Sequence, residues 1–297
     1  MQKKPKKQPL ARKTARTPKK LPTVGFIGGG NMARSLIGGL IEDGYPAAAI
    51  HVCDPDSAKC LQLKNLFEVR TEAHAAGIIE QCECLVLAVK PQVMHAVIKD
   101  IRTTVAIKKP LLISIAAGIR VQTLEKWLQC QAAIVRCMPN TPALIQTGAT
   151  ALFANSAVSA QQHAFAESLL RAVGLTVWLD DEALLDAVTA LSGSGPAYIF
   201  LVIEAMQAAG ESLGLSREHS RLLSLQTAFG AAKMALEAEE PAAMLRERVT
   251  SKGGTTEKAL EVFRQGQLPE LFRQAMAAAA QRSQELAAQL DQEKPAK

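Results

Sequence analysis

Thr23-Val-Gly-Phe-Ile-Gly-Gly-Gly-Asn-Met-Ala33 joins a short β-branched and aromatic run to three glycines and then to a helical pattern. Gly28, Gly30 and Ala33 stand in the G-x-G-x-x-A spacing that cradles a pyrophosphate. The first glycine permits a tight strand-to-helix turn, the second lets backbone approach phosphate, and a small third residue lets the helix lie close to the strand. Ala33, Leu36, Ile37, Leu40 and Ile41 then follow the i, i+3, i+4, i+7, i+8 series of a buried helical stripe, which Gly44 ends. The pattern predicts a strand, a glycine loop and a helix whose first N–H groups receive a dinucleotide.

Outward from this stretch, apolar runs alternate with helical patterns as far as about Leu179. Strands are expected at Val24–Ile27, Ile50–Cys53, Leu85–Val89, Leu111–Ile115 and Ile134–Arg136, with Ala149–Phe153 and Thr176–Leu179 extending the sheet. Near-continuous apolar strands suit a doubly wound parallel sheet covered on both faces, so the fold class is α/β. Ligands of such sheets bind beyond the carboxyl ends of the strands. There the chain places Asp54, Lys90-Pro91-Gln92, Ala116-Ala117-Gly118 and Met138-Pro139-Asn140-Thr141-Pro142. Asp54 lies 26 residues beyond Gly28, near where an acid takes the adenosine ribose hydroxyls. Asp54-Pro55-Asp56-Ser57 reads equally as a turn with an N-cap, and Lys59 is near enough to meet a phosphate.

Beyond Asp180 the pattern becomes all-helical, rich in Leu, Ala and Met. A segment from Glu182 to Leu213 is interrupted at Ser192-Gly-Ser-Gly-Pro196, where a kink or break is expected. A second helix spans Ser216–Ala238, and Ser251-Lys-Gly-Gly-Thr-Thr256 opens another with clustered N–H groups and hydroxyls that suit an anion. Gln274–Leu290 reads as a helix packed on a partner, with a solvated terminal helix as the alternative. The chain thus divides into a basic tail (1–22), a dinucleotide-binding domain (23–180), a helical domain (181–291) and a short tail (292–297).

Composition sets bounds on function. At 297 residues, 48% hydrophobic and 21% charged, the chain is of ordinary globular type, large enough for two cores. Residues 1–22 hold nine Lys or Arg and no acid; removing those nine turns the formal charge of +6 into −3. A Lys- and Pro-rich stretch of this kind is expected to be disordered, and nucleic-acid contact or organelle targeting is not expected of it. The six cysteines (53, 60, 82, 84, 130, 137) form no C-x-x-C pair, so reduced thiols and no metal site are expected. No apolar run of the ~18 residues needed for a membrane span and no signal-like N-terminus is expected from the pattern, so the protein is expected to be cytoplasmic.

The motifs Gly25-Phe-Ile-Gly-Gly-Gly-Asn-Met-Ala33, Leu87-Ala-Val-Lys-Pro-Gln92, Ser114-Ile-Ala-Ala-Gly118, Val135-Arg-Cys-Met-Pro-Asn-Thr-Pro-Ala143, Asp186-Ala-Val-Thr-Ala-Leu-Ser-Gly-Ser-Gly-Pro-Ala-Tyr198, Gly230-Ala-Ala-Lys-Met234 and Val249-Thr-Ser-Lys-Gly-Gly-Thr-Thr256 occur in one order. In this the chain resembles the pyrroline-5-carboxylate reductases, from Thr23 to about Leu290. The resemblance implies a Rossmann domain followed by an all-α dimerisation domain, which use NADP(H) or NAD(H) to reduce L-1-pyrroline-5-carboxylate to L-proline. It implies cofactor contacts at Ile27, Gly28, Gly29, Gly30, Asn31 and Met32, at Asp54 and Asp56, at Ala88, Val89, Lys90 and Pro91, and at Ala116, Ala117 and Gly118. It implies a substrate loop from Ser251 through Thr256, in a homodimer or larger homo-oligomer whose neighbouring subunit lends residues. On chemical grounds the Gly254 and Thr255 N–H groups with the Ser251 hydroxyl are expected to hold the carboxylate, and the Thr256 hydroxyl to be the catalytic group at the ring nitrogen. Two positions depart from the family: Lys252 replaces a usual proline, and no asparagine stands near His74-Ala75.

Two rival functions are distinguishable. A 3-hydroxyacid dehydrogenase needs a catalytic lysine in the helical domain, for which Lys233 is the candidate; a nucleic-acid-binding or cofactor-sensing protein leaves the Ser251–Thr256 loop without a role. Deleting residues 2–20 is expected to leave reductase activity and melting temperature nearly unchanged, because Lys, Pro and Thr contribute no core; an assay and melting curve of the truncated protein check this.

Overall fold

The computed structural model describes residues 21–292. The readings of residues 1–20 and 293–297 as tails lie outside the described residues. In chain order the elements are β1 (Val24–Ile27), α1 (Asn31–Glu42), β2 (Ile50–Cys53), α2 (Ser57–Phe67), β3 (Arg70–Glu72), α3 (Ala75–Ile79), β4 (Cys84–Leu87), α4 (Pro91–Lys108), β5 (Leu111–Ser114), α5 (Val121–Leu128), β6 (Ile134–Met138), β7 (Gly148–Ala154), α6 (Ala160–Arg171) and β8 (Gly174–Trp178). After these come α7 (Leu184–Val188), α8 (Gly195–Ser212), α9 (Arg217–Glu237), α10 (Ala242–Arg248), α11 (Thr255–Gln265) and α12 (Leu268–Gln292).

The eight strands form one sheet in the order β3-β2-β1-β4-β5-β6-β7-β8. Its first six strands run parallel, β7 runs antiparallel to β6, and β8 pairs parallel with β7. The α/β expectation holds, with the direction reversed at β7. A Thr141–Ile145 turn of 3₁₀ helix carries the chain from β6 straight back into β7, so no crossover helix intervenes to keep the strands parallel. Every residue of β1, β2, β4 and β5 is buried. One face is covered by α1, α2 and α6 through residues such as Leu36, Leu63 and Leu169. The other is covered by α3, α4 and α5 through Ile78, Met94 and Leu124. In α1 the expected stripe is the buried one, with Ala33, Leu36, Ile37 and Leu40 inside, each large side chain contributing roughly 2 kcal/mol of burial. β3 is the strand that the sequence pattern misses: Arg-Thr-Glu on an exposed sheet edge has no apolar run to announce it.

Of the kink or break expected at Ser192–Pro196, the chain shows no break: a π-helical turn, Thr189–Gly193, joins α7 to α8. Ser194 N–H donates to the Thr189 carbonyl at 2.8 Å. Pro196 falls in the first turn of α8, where its missing N–H costs nothing. Leu184–Ser212 therefore counts as one 29-residue helix, long and apolar enough by length and composition to cross a membrane. This corrects the expectation that no such run exists: the π turn joins two apolar segments that the Gly-Pro pair seemed to separate. Within the protomer α8 buries none of its residues, leaving Ile199, Phe200 and Leu201 exposed.

The alanine-rich α12 is only in part what the sequence suggests. Its last turns dock on their own protomer, burying Ala287 and Leu290 over Gly118. Ser283 Oγ donates to Asp186 Oδ1 at 2.6 Å, and Thr123 Oγ1 hydrogen-bonds Asp291 Oδ1. Its first turns leave Leu271 exposed.

A carboxylate joins the two parts of the chain. Glu182 Oε1 accepts from Arg136 Nη1 of β6 at 2.9 Å and from the Val121 N–H that starts α5 at 2.8 Å. Arg136 is 5% exposed, so removing its partner strands a guanidinium. Glu182→Ala is expected to lower unfolding free energy by about 3 kcal/mol, the typical cost of breaking a buried pair. Chemical denaturation at neutral pH reads this, and a change below about 1 kcal/mol, the worth of a surface pair, contradicts it.

Candidate active site

The carboxyl ends of β1 and β4 lie side by side at the point where strand order reverses, so a crevice opens between the loops that follow them. Gly28 closes the β1 turn at φ +104°, and a Cβ there would sit 2.6 Å from the Ala88 carbonyl oxygen. Only glycine permits that conformation and that approach. The same packing sets Ala88 and Val89 against Gly28, with Lys90 and Pro91 following at the start of α4, and Ala88 N–H donates to Ile27 O at 2.8 Å. Ile115 N–H reaches Leu87 O at 3.3 Å and so brings Ala116, Ala117 and Gly118 to the same rim.

The loop fits a pyrophosphate. Gly30 caps α1 with no side-chain acceptor and no acid in the first turn, so the leading N–H groups at Asn31 and Met32 have no intrahelical partner. A Cβ on Gly30 would meet nothing within 4 Å, which leaves the approach to those groups open. Gly29 is held differently. Its N–H donates to Asp54 Oδ2 at 2.8 Å, while Asp54 Oδ1 accepts from Asp56 N–H at 2.9 Å. Asp54 is 6% exposed, so its carboxylate braces the glycine loop from beneath. The sequence offered both a ribose contact and a turn here, and the geometry is that of the turn, with exposed Asp56 capping α2 through Ala58 N–H.

At the inner end of the rim, Pro91, Gln92, Ala117 and Gly118 line a cavity of about 390 Å³ together with Thr189 and Ser194. The π turn is anchored there by Asn140: its Nδ2 donates to the Ser192 carbonyl at 3.1 Å and its Oδ1 accepts from Ala149 N–H at 2.8 Å. Asn140 lies in the Met-Pro-Asn-Thr-Pro stretch that the sequence placed on the rim, but its service to a freed backbone carbonyl of the π turn was not foreseen. Glu182 was missed altogether, because an acid between domains has no local pattern.

The loop Ser251–Thr256 is not brought to this cavity within the protomer. It is largely exposed, and α11 packs on α12. Gly253 takes φ +73°, its N–H donates to Glu257 Oε2 at 2.7 Å, and Gly254 N–H donates to Ser251 O at 3.0 Å. The expected substrate contact at Gly254 therefore has its N–H engaged inside the loop. The first-turn N–H groups of Thr255 and Thr256 have no intrahelical acceptor. Lys233, the candidate lysine of the rival dehydrogenase reading, is an exposed α9 side chain 3.7 Å from Glu237.

Among the described residues no group of three His, Cys, Asp or Glu is arranged to hold a metal ion. Burial pushes the Cys53 thiol up to about 11 and Cys82 to about 12, and holds Cys84 and Cys137 well above the usual range, so these four remain protonated and inert.

A sheet with an open glycine loop at its switch point, followed by an apolar helical extension, is the layout of a dinucleotide-binding protein, and the family model matched by its first part makes it an NADP-type oxidoreductase. Residues 23–118 match the family model for NADP oxidoreductase, coenzyme F420-dependent, and residues 182–286 match that for pyrroline-5-carboxylate reductase dimerisation. The pyrroline-5-carboxylate reductase of Pseudomonas aeruginosa is 51% identical over 271 residues, 91% of this chain and 99% of that protein. A solved pyrroline-5-carboxylate reductase from Coxiella burnetii superposes with TM-score 0.87 at 45% identity, covering 90% of this chain and 99% of that one. The Plasmodium falciparum pyrroline carboxylate reductase, solved with NADP bound, has TM-score 0.79 at 28% identity, covering 90% and 98%. The chain belongs to the pyrroline-5-carboxylate reductase family. It is an NAD(P)H-dependent, homo-oligomeric enzyme that reduces L-1-pyrroline-5-carboxylate to L-proline.

Because Asp54 holds Gly29 from below, Asp54→Ser is expected to weaken NADH and NADPH alike, by about tenfold for the lost charge-assisted hydrogen bond. Titrating both nucleotides against the variant measures it, and a loss confined to NADH would place the carboxylate on the ribose instead.

Proposed function

We propose that the cofactor lies along the rim from the glycine loop to the 390 Å³ cavity, and that the substrate's carboxylate is received by the Ser251–Thr256 loop of a neighbouring subunit. The observation that carries this reading is the separation of two complementary half-sites. The rim has open N–H groups but no substrate loop, and the loop has open N–H groups but no rim. Domain limits of 23–180 and 181–291 follow from the same division. A dimer built on α8 and α9 accounts for their uncovered apolar faces. The unpaired thiols support a cytoplasmic location, and no nucleic-acid or membrane role is assigned to the basic N-terminal stretch.

Bound nicotinamide would supply the hydride that the C=N carbon accepts. The protein's residues have little acid–base chemistry to perform, since a protonated imine is already electrophilic and gains from being held in orientation. N–H groups of Thr255 and Thr256, with the Ser251 hydroxyl, hold the carboxylate at the positive end of α11. Gly254 contributes as the N-cap that shapes the turn, and Glu257 fixes Gly253. The Thr256 hydroxyl hydrogen-bonds the ring nitrogen and relays its proton from water.

Thr256→Val keeps the shape and removes that hydroxyl. Its kcat is expected to fall about a hundredfold with cofactor affinity little changed. Oxidation of NADH and of NADPH with pyrroline-5-carboxylate, followed for both proteins, tests the assignment; wild-type kcat in the variant would reduce Thr256 to a helix residue.

A further inference from the structure

Three charged side chains meet where β2 ends and α2 begins. The Lys59 ammonium lies 3.5 Å from Asp54 Oδ1 and 3.8 Å from Asp56 Oδ2. Asp54 is turned inward, its two oxygens engaged by the N–H groups of Gly29 and Asp56. Asp56 and Lys59 are about half exposed, their side chains being 48% and 46% accessible. We propose that Lys59 determines whether this enzyme accepts a 2′-phosphorylated adenosine: its ammonium offsets Asp54 and Asp56 and turns outward to pair with the 2′-phosphate of NADPH. The inference rests on reading the glycine loop as the cofactor cradle.

The motif alone argues the opposite. An acid at the end of the second strand accepts ribose hydroxyls and repels a 2′-phosphate, which selects NADH. Here that acid is buried beneath the loop, and the charge that remains at the surface belongs to Asp56 with a lysine beside it. Both of the lysine's ion-pair distances exceed normal N–H···O length, and the Lys59 ammonium makes no hydrogen bond among the described residues. A long, flexible stem with a rotatable ammonium can therefore leave the acids without breaking a directed bond. Lys59 also stands in the first turn of the eleven-residue α2, whose leading N–H groups add positive potential on the same side. When the ribose is unphosphorylated, Lys59 stays with Asp56, and the exposed Asp56 oxygen is available to a ribose hydroxyl. One lysine thus reconciles an acidic strand end with use of either nucleotide.

The test is equilibrium binding to the full-length protein without substrate, by calorimetry, of NADPH, NADH and adenosine 2′,5′-bisphosphate. Lys59→Met is expected to weaken NADPH and the bisphosphate by about tenfold, the worth of one charge-assisted contact, and to leave NADH within about twofold. Lys59→Arg should retain NADPH binding, and the salt dependence of NADPH binding should flatten in Lys59→Met. Equal loss of both dinucleotides in Lys59→Met, or no loss of either, overturns the proposal. If the unaltered protein binds neither dinucleotide, the cradle reading itself is wrong and the role of Lys59 goes with it.

Discussion

One carboxylate oxygen fixes how the helical half of this protein hangs on the sheet. Glu182 Oε1 receives a guanidinium from β6 and the leading N–H of α5, so the chain leaves the sheet at a set angle. From that exit the chain runs into α7 and the π turn, whose Ser192 carbonyl Asn140 holds and whose Thr189 lines the 390 Å³ cavity. The contact is buried on the arginine side, and a low local dielectric makes it both strong and intolerant of partial loss. Asp186 with Ser283, and Thr123 with Asp291, add further ties that bring α12 back over Gly118. The cavity is therefore framed by polar clamps around an apolar lining, which keeps Thr189 and Ser194 in register with the strand ends.

Much of this was legible in the residues because it depends on local periodicity. The buried stripe of α1, the seven apolar strands and the glycine turn all follow from patterns within a dozen residues of each other. What was not legible depends on distant partners. Arg70–Glu72 becomes a strand only because His51–Cys53 offers it a ladder. β7 reverses because a 3₁₀ turn is too short for a crossover. The π turn absorbs a Gly-Pro pair that reads locally as a break, since Asn140 and Tyr198 satisfy carbonyls of the turn from outside its own backbone ladder. Alanines in α12 read as a partner surface, yet small side chains equally allow close docking on a glycine of the same chain.

The candidate site divides the same way. The glycine loop and the strand-end residues lie at the crevice where the spacing put them, because a strand, a glycine turn and a helix start are local backbone objects. The direction of Asp54 was not, since an acid at a strand end can point up to a ribose or down to a loop with the same sequence. Nor could spacing show that Gly254 N–H turns back to Ser251, which leaves Thr255 and Thr256 as the first N–H groups of α11 without an acceptor in the helix.

The uncovered α8 makes assembly a part of folding. An eighteen-residue apolar helix with no fully buried residue in its own protomer realises only part of its burial energy until a second surface meets it. The free energy that holds these helices is thus partly a concentration term, and the folded state of the helical half gains with the logarithm of subunit concentration. At high dilution the sheet domain, with its own two-sided core, retains its structure longest, while the helices that carry the Ser251–Thr256 loop lose theirs first.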